Sequence, residues 1–194
     1  MKLTAAIALA CVFPVFAAEE PPLVEGNAKS LVRVVVYEDL QCPDCAEYRK
    51  MMDEQLLPKF GAQVAFEHRD FPLPKHKWAR KAAIAARFFG STSPETAVAF
   101  RRMTLENLTT INPENFNDRL SEFAKSHGVE PKRAIAALDE ARFAALVELD
   151  YQEGVARGIS KTPTVFVDAE PFVEKFEVED IAKAIRAALE ASKR

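Results

Sequence analysis

Two cysteines with two residues between them, in the segment Cys42-Pro43-Asp44-Cys45, carry the clearest chemistry in this chain. Such a pair serves one of three ends: thiol–disulfide exchange, half of a zinc site, or a small structural disulfide. Zinc generally takes four ligands, and His68, His76 and His127 are scattered with no metal-site spacing, so no metal is expected. A disulfide closing a four-residue loop stabilises by about 2 kcal/mol on the chain-entropy model, less than a wider spacing gives. Exchange chemistry asks instead for a stabilised thiolate, because the thiolate is both the attacking species and the leaving group.

The flanking elements supply that stabilisation. Leu31 to Tyr37 is β-branched and almost continuously apolar, the pattern of a strand buried on both faces. Ala46 to Leu57 is helix-like, with Tyr48, Met51, Met52 and Leu56 at spacings of three or four. Cys42 therefore follows a strand and opens a helix, where unpaired N–H groups and about half a positive charge favour a thiolate over a thiol. Its pKa is expected below the free value of roughly 8.5, with Cys42 the exposed nucleophile and Cys45, one turn in, the buried resolving thiol. Pro43 suits the first helical turn. Asp44 suits the helix dipole but disfavours a neighbouring thiolate, so it is expected to hold Cys42 less depressed than a neutral or cationic residue would.

Beyond the first helix, Gln63 to His68 alternates as a second strand, and Phe71-Pro72-Leu73-Pro74 breaks the pattern. Strand, helix, strand in so short a stretch predicts a βαβ unit with a right-handed crossover. Helical signals fill about 75–158: Ser93-Pro94-Glu95 and Asn112-Pro113 as helix starts, Gly128 as a stop, Pro131 as a further start, and Phe143, Val147, Tyr151 and Val155 four apart. Strand signals return at Thr164 to Val167 and, more weakly, at Phe172 to Phe176, before an amphipathic helix from Val178 to Ser192. The expected fold is one α/β domain over 31–194, ordered βαβ … ββα, with an all-helical insertion inside it.

The first residues combine Lys2, an apolar run from Leu3 to Phe13 interrupted by Pro14, and Val15-Phe16-Ala17, which ends on a small residue where cleavage is expected. That is a secretory signal peptide over 1–17, too short to span a bilayer. Residues 18–30, with two prolines and a glycine, are expected to form an exposed tail. Cleavage removes Cys11 and leaves Cys42 and Cys45 as the mature pair, in an exported protein that is periplasmic or secreted. A formal charge of −3 gives no basic footprint for nucleic acid and no polybasic tag for a membrane surface.

Three segments resemble the DsbA-like branch of the thioredoxin superfamily, and they occur in that family's order: Tyr37 to Cys45, Arg69 to His76, and Gly158 to Val167. The resemblance spans about residues 30 to 190 and implies a thioredoxin-like fold and an exported thiol–disulfide oxidoreductase with no bound cofactor. It implies that Thr162-Pro163 is a cis peptide facing the dithiol, with Thr162 offering backbone hydrogen bonds to a bound substrate chain. It also implies that an acid beneath the active-site helix, Glu38 or Asp39, relays a proton to Cys45. His76 is expected at the surface. The partners implied are substrate protein thiols or disulfides and a membrane redox protein that recycles the dithiol; the protein itself is expected to be a monomer. An oxidase is favoured; a reductase or isomerase, or a non-catalytic peptide- or metal-binding protein, are the alternatives.

Overall fold

The structure, a computed structural model, describes residues 21–194; the expected signal peptide over 1–17 and Cys11 lie outside the described residues. Five strands form one sheet in the order β1-β3-β2-β4-β5: β1 (Leu23–Gly26), β2 (Arg33–Glu38), β3 (Ala65–Asp70), β4 (Thr164–Val167) and β5 (Glu170–Val173). β2 and β3 pair in parallel, joined by α1 (Pro43–Met51), a π-helical turn (Met52–Leu56) and α2 (Leu57–Phe60). The π turn falls just ahead of Pro58, whose missing N–H cannot continue an α-helical ladder. β4 pairs antiparallel with β2 and forms a hairpin with β5 through Asp168, which takes a left-handed φ of 53°.

Burial follows the strand pattern. Val34 and Val36 of β2 and Phe66 of β3 pack with Tyr48, Met52 and Leu56 below the sheet, together with Ile181 and Ile185 of α8 (Val178–Ala191). The opposite face turns Tyr37 and Phe166 toward Phe71 and Tyr151. Between β3 and β4 come α3 (Ala79–Gly90), α4 (Pro94–Glu106), α5 (Phe116–Ser126), α6 (Pro131–Ala136), a 3-10 turn (Ala137–Asp139) and α7 (Ala141–Ala156). Their core of Trp78, Phe89, Phe100, Phe116, Phe123 and Phe143 is continuous with Leu40, Cys42 and Cys45, so the dithiol rests on the helical block.

Two expectations need correction here. Residues 23–26 are not tail but the edge strand β1, antiparallel to β3 with Leu23 opposite His68 and Gly26 opposite Ala65. Backbone pairing and the ion pairs of Glu25, rather than an apolar stripe, hold this strand, which is why composition did not reveal it. Asn112 does not cap α5 directly; Asn115 is its N-cap, while the Asn112 side chain accepts from the Glu114 and Asn115 amides in the turn before it.

Candidate active site

Cys42 is the N-cap of α1, with extended backbone angles, and Pro43 opens the helix behind it. Both cysteines are free thiols. The Cys42 Sγ–H donates to the Thr162 carbonyl across 3.3 Å, and the Thr162-Pro163 peptide is cis. The loop that carries it is held by the Glu174 N–H, which donates to the Pro163 carbonyl at 2.8 Å. Cys42 is therefore only 5% exposed, against the expectation of an exposed nucleophile: the proline loop covers it. Cys45 is fully buried and accepts from the Asp39 N–H at 3.4 Å.

Electrostatics separate the two thiols. The Cys42 pKa is pulled down to about 6, first by the Cys45 thiol donating to it. Burial opposes this, but Thr162 and the Cys45 and Asp44 amides at the helix end outweigh it. The Thr162 hydroxyl, buried and without a partner while Cys42 is a thiol, is free to serve the thiolate. Burial pushes the Cys45 thiol well above its ordinary value, and the charge on Cys42 pushes the same way. One sulfur is poised as thiolate and leaving group, and the other holds its proton.

Glu38 is the last residue of β2 and Asp39 follows it; both are buried, but they do different things. The Asp39 carboxylate accepts from the Gln41 N–H at 2.7 Å, the Leu73 N–H at 2.6 Å and His76 Nδ1 at 2.8 Å. His76 is thus not a free surface residue: its side chain is 15% exposed and is tied to Asp39, pinning the loop after β3 under the dithiol. Burial raises the Asp39 pKa despite those donors. Burial also pushes Glu38 up, but His68 and Arg101 outweigh it and hold the carboxyl low.

His68 and its partners went unrecognised in the sequence. Its Nδ1 lies 2.6 Å from Glu38 Oε1 and its Nε2 lies 2.9 Å from Glu25 Oε1, with the ring fully buried. A neutral imidazole donates from only one nitrogen, so two carboxylate contacts fit the imidazolium. Burial alone would lower the His68 pKa; the two carboxylates raise it. The network extends through Arg49 to Glu25 and Asp53, and through Arg101 to Glu38 and Asp70. The apolar–polar alternation over Gln63 to His68 suggests a strand with one solvated face, whereas β3 is buried on both, so its polar residues meet partners inside the protein.

Comparison with known proteins agrees with this arrangement. The family model described as Thioredoxin matches residues 18–187. The chain belongs to the thioredoxin family. Among solved structures, BdbD from Bacillus subtilis superimposes with a TM-score of 0.79 at 24% identity, covering 87% of this chain and 93% of that one. Wolbachia pipientis α-DsbA1 gives 0.74 at 15% identity, covering 86% and 89%. The thioredoxin-like fold with a helical insertion is therefore of the DsbA type. In sequence, a Rickettsia prowazekii protein assigned as a protein-disulfide oxidoreductase is 26% identical over 179 residues, 90% of this chain. A Na(+)/H(+) antiporter, NhaA, of Herminiimonas arsenicoxydans is 29% identical over 183 residues. The chain spans 64% of the length of the first and 27% of the second.

Among the described residues, no group of three or more His, Cys, Asp or Glu side chains is arranged to hold a metal ion. No helix among them is long and apolar enough to cross a membrane.

Proposed function

We propose that this protein is an exported thiol–disulfide oxidoreductase working as an oxidase, which passes the Cys42–Cys45 disulfide to substrate protein thiols. The observation that carries the reading is the split between the thiols, with Cys42 near 6 and Cys45 far above it. In the oxidised form a substrate thiolate attacks Cys42 Sγ; the Cys42–Cys45 bond breaks, and Cys45 leaves and takes a proton. A second substrate thiolate then attacks the substrate sulfur of the mixed disulfide and expels Cys42 as a stabilised thiolate. The substrate loses two electrons and the protein gains them. A low leaving-group pKa speeds the second step and stabilises the dithiol, which makes the disulfide more oxidising.

The remaining site residues have roles in this scheme. The loop at Thr162-Pro163 faces Cys42, and it seats the substrate chain across the dithiol. Asp39, with its raised pKa and its link to partly exposed His76, is better suited than Glu38 to exchange a proton with Cys45. Each turnover leaves Cys42 as a thiolate and Cys45 as a thiol, so a membrane redox partner must remove two electrons, with loss of the Cys45 proton, before the next. The protein acts as a monomer, and the names of the Rickettsia relatives support the reaction class.

The test is a pair of variants with a reduced, unfolded substrate protein. Cys42→Ala is expected to abolish disulfide transfer, and Cys45→Ala, mixed instead with a disulfide-bonded substrate protein, to accumulate a mixed disulfide as Cys42 attacks that disulfide and expels one substrate thiol. Trapping the thiols in cells is expected to find the wild-type pair mainly oxidised. A mainly reduced pair, or transfer retained by Cys42→Ala, overturns the reading.

A further inference from the structure

Away from the dithiol, a cleft of about 820 Å³ lies between β1, the turn joining α3 to α4, and the starts of α6 and α7. Five arginines line it, Arg33, Arg87, Arg101, Arg133 and Arg142, and no Asp or Glu is among the lining residues. Four of the five are paired with carboxylates that are not among the lining residues: Arg33 with Glu67, Arg87 with Asp70 and Asp150, Arg101 with Glu38 and Asp70, and Arg142 with Glu140. A guanidinium carries five N–H donors, so these contacts leave several unused.

Two further observations point into the cleft. Arg101 is 2% exposed, yet its Nε–H finds no acceptor among the described residues. A buried donor left without a partner costs free energy and calls for an explanation. Arg133 forms no side-chain hydrogen bond or ion pair among the described residues, although carboxylates are plentiful elsewhere on the surface. The first residue of α4, Pro94, also lines the cleft, so the positive end of a 13-residue helix adds to the same field.

We propose that this arginine-lined cleft binds a multivalent oxyanion at a site separate from the dithiol. Guanidiniums with donors left over, in a cleft whose lining holds no carboxylate, are suited to phosphate-type or carboxylate groups, which accept charge-assisted hydrogen bonds from several arginines at once. The volume falls in the range of small-ligand sites. Neither cysteine, nor Thr162 or Pro163, lines it.

Calorimetric titration of the purified protein with pyrophosphate, the probe anion, tests this. Saturable binding is expected, weakened about tenfold by Arg133→Ala and by Arg142→Ala, as loss of a charge-assisted contact implies. Both positions are exposed, so folding is not at stake. Disulfide transfer should be unchanged in both variants. Arg119→Ala, which removes an exposed arginine outside the cleft, should leave binding intact. No binding at low ionic strength, or an equal loss in Arg119→Ala, overturns the proposal. So does binding that emerges only when Glu19 and Glu20 are changed to Gln, since the chain's own acidic pair beside Pro21 is then the occupant.

Discussion

If the Cys45 thiol is the main support of the Cys42 thiolate, removing it should cost the thiolate most of its advantage. In Cys45→Ala the donor disappears, while the burial that opposes ionisation remains. The Cys42 titration midpoint should rise from about 6 toward, or past, the ordinary cysteine value of roughly 8.5. At pH 7 the thiolate fraction would then fall from about nine-tenths to about three-hundredths, a change of roughly thirtyfold. The assay is the pH dependence of Cys42 alkylation by iodoacetamide, checked against ultraviolet thiolate absorbance. Cys45→Ser keeps a hydroxyl donor and should fall between wild type and Cys45→Ala. A Cys42 midpoint that stays near 6 in Cys45→Ala refutes the assignment and moves the cause to the helix amides and Thr162. A wild-type midpoint near the ordinary value refutes the whole electrostatic account.

Other perturbations reach the surrounding structure. Asp44→His should lower the Cys42 midpoint further, because a cation replaces a carboxylate beside the thiolate; an unchanged or higher midpoint counts against that role for Asp44. Glu25 is held at about 2 instead of 4.5: burial would raise it, but His68 and Arg49 outweigh burial. Glu25→Gln should therefore destabilise the fold by roughly 3 kcal/mol in urea denaturation. Because the folded value is the depressed one, this gap is fully present above about 4.5 and lost as pH falls through about 2; a gap that persists at the acid end is inconsistent with it. Gly154→Ala would place a Cβ 2.6 Å from Phe71 Cδ2 and Cε2, at the buried contact between α7 and the sheet. It should lose about 1–2 kcal/mol even after the gain in helix propensity, and a variant as stable as wild type would show that Phe71 has room to move.

The sequence carried the dithiol and its frame because both depend on local signals. A β-branched run, a cysteine at a helix start and a proline before the next strand are visible in single stretches of chain. The crossover from β2 to β3 and the helices between β3 and β4 were legible for the same reason. What escaped was set by contacts between distant segments. Nothing near Glu25 indicates that it meets His68, 43 residues on, and the edge strand that brings them together has only a weak apolar pattern. His76 looks like a surface residue in the sequence because its partner, Asp39, sits 37 positions earlier, just past the end of β2. Cys42 was placed at the surface by its position at a helix tip, and only the packing of the Thr162-Pro163 loop shows it to be covered.

The reduction potential of the Cys42–Cys45 couple, from equilibration with glutathione at pH 7, tests the central claim most directly. Thioredoxin lies at about −270 mV and DsbA at about −120 mV. With Cys42 near 6, against about 7 in thioredoxin, the dithiol is stabilised more at pH 7 and the potential should lie above that of thioredoxin, by about 20 mV from this effect alone. The potential should also become more pH-dependent as the medium is acidified through about 6, where Cys42 begins to take up a proton on reduction. A value at or below that of thioredoxin, with no such change in slope, would contradict the oxidase.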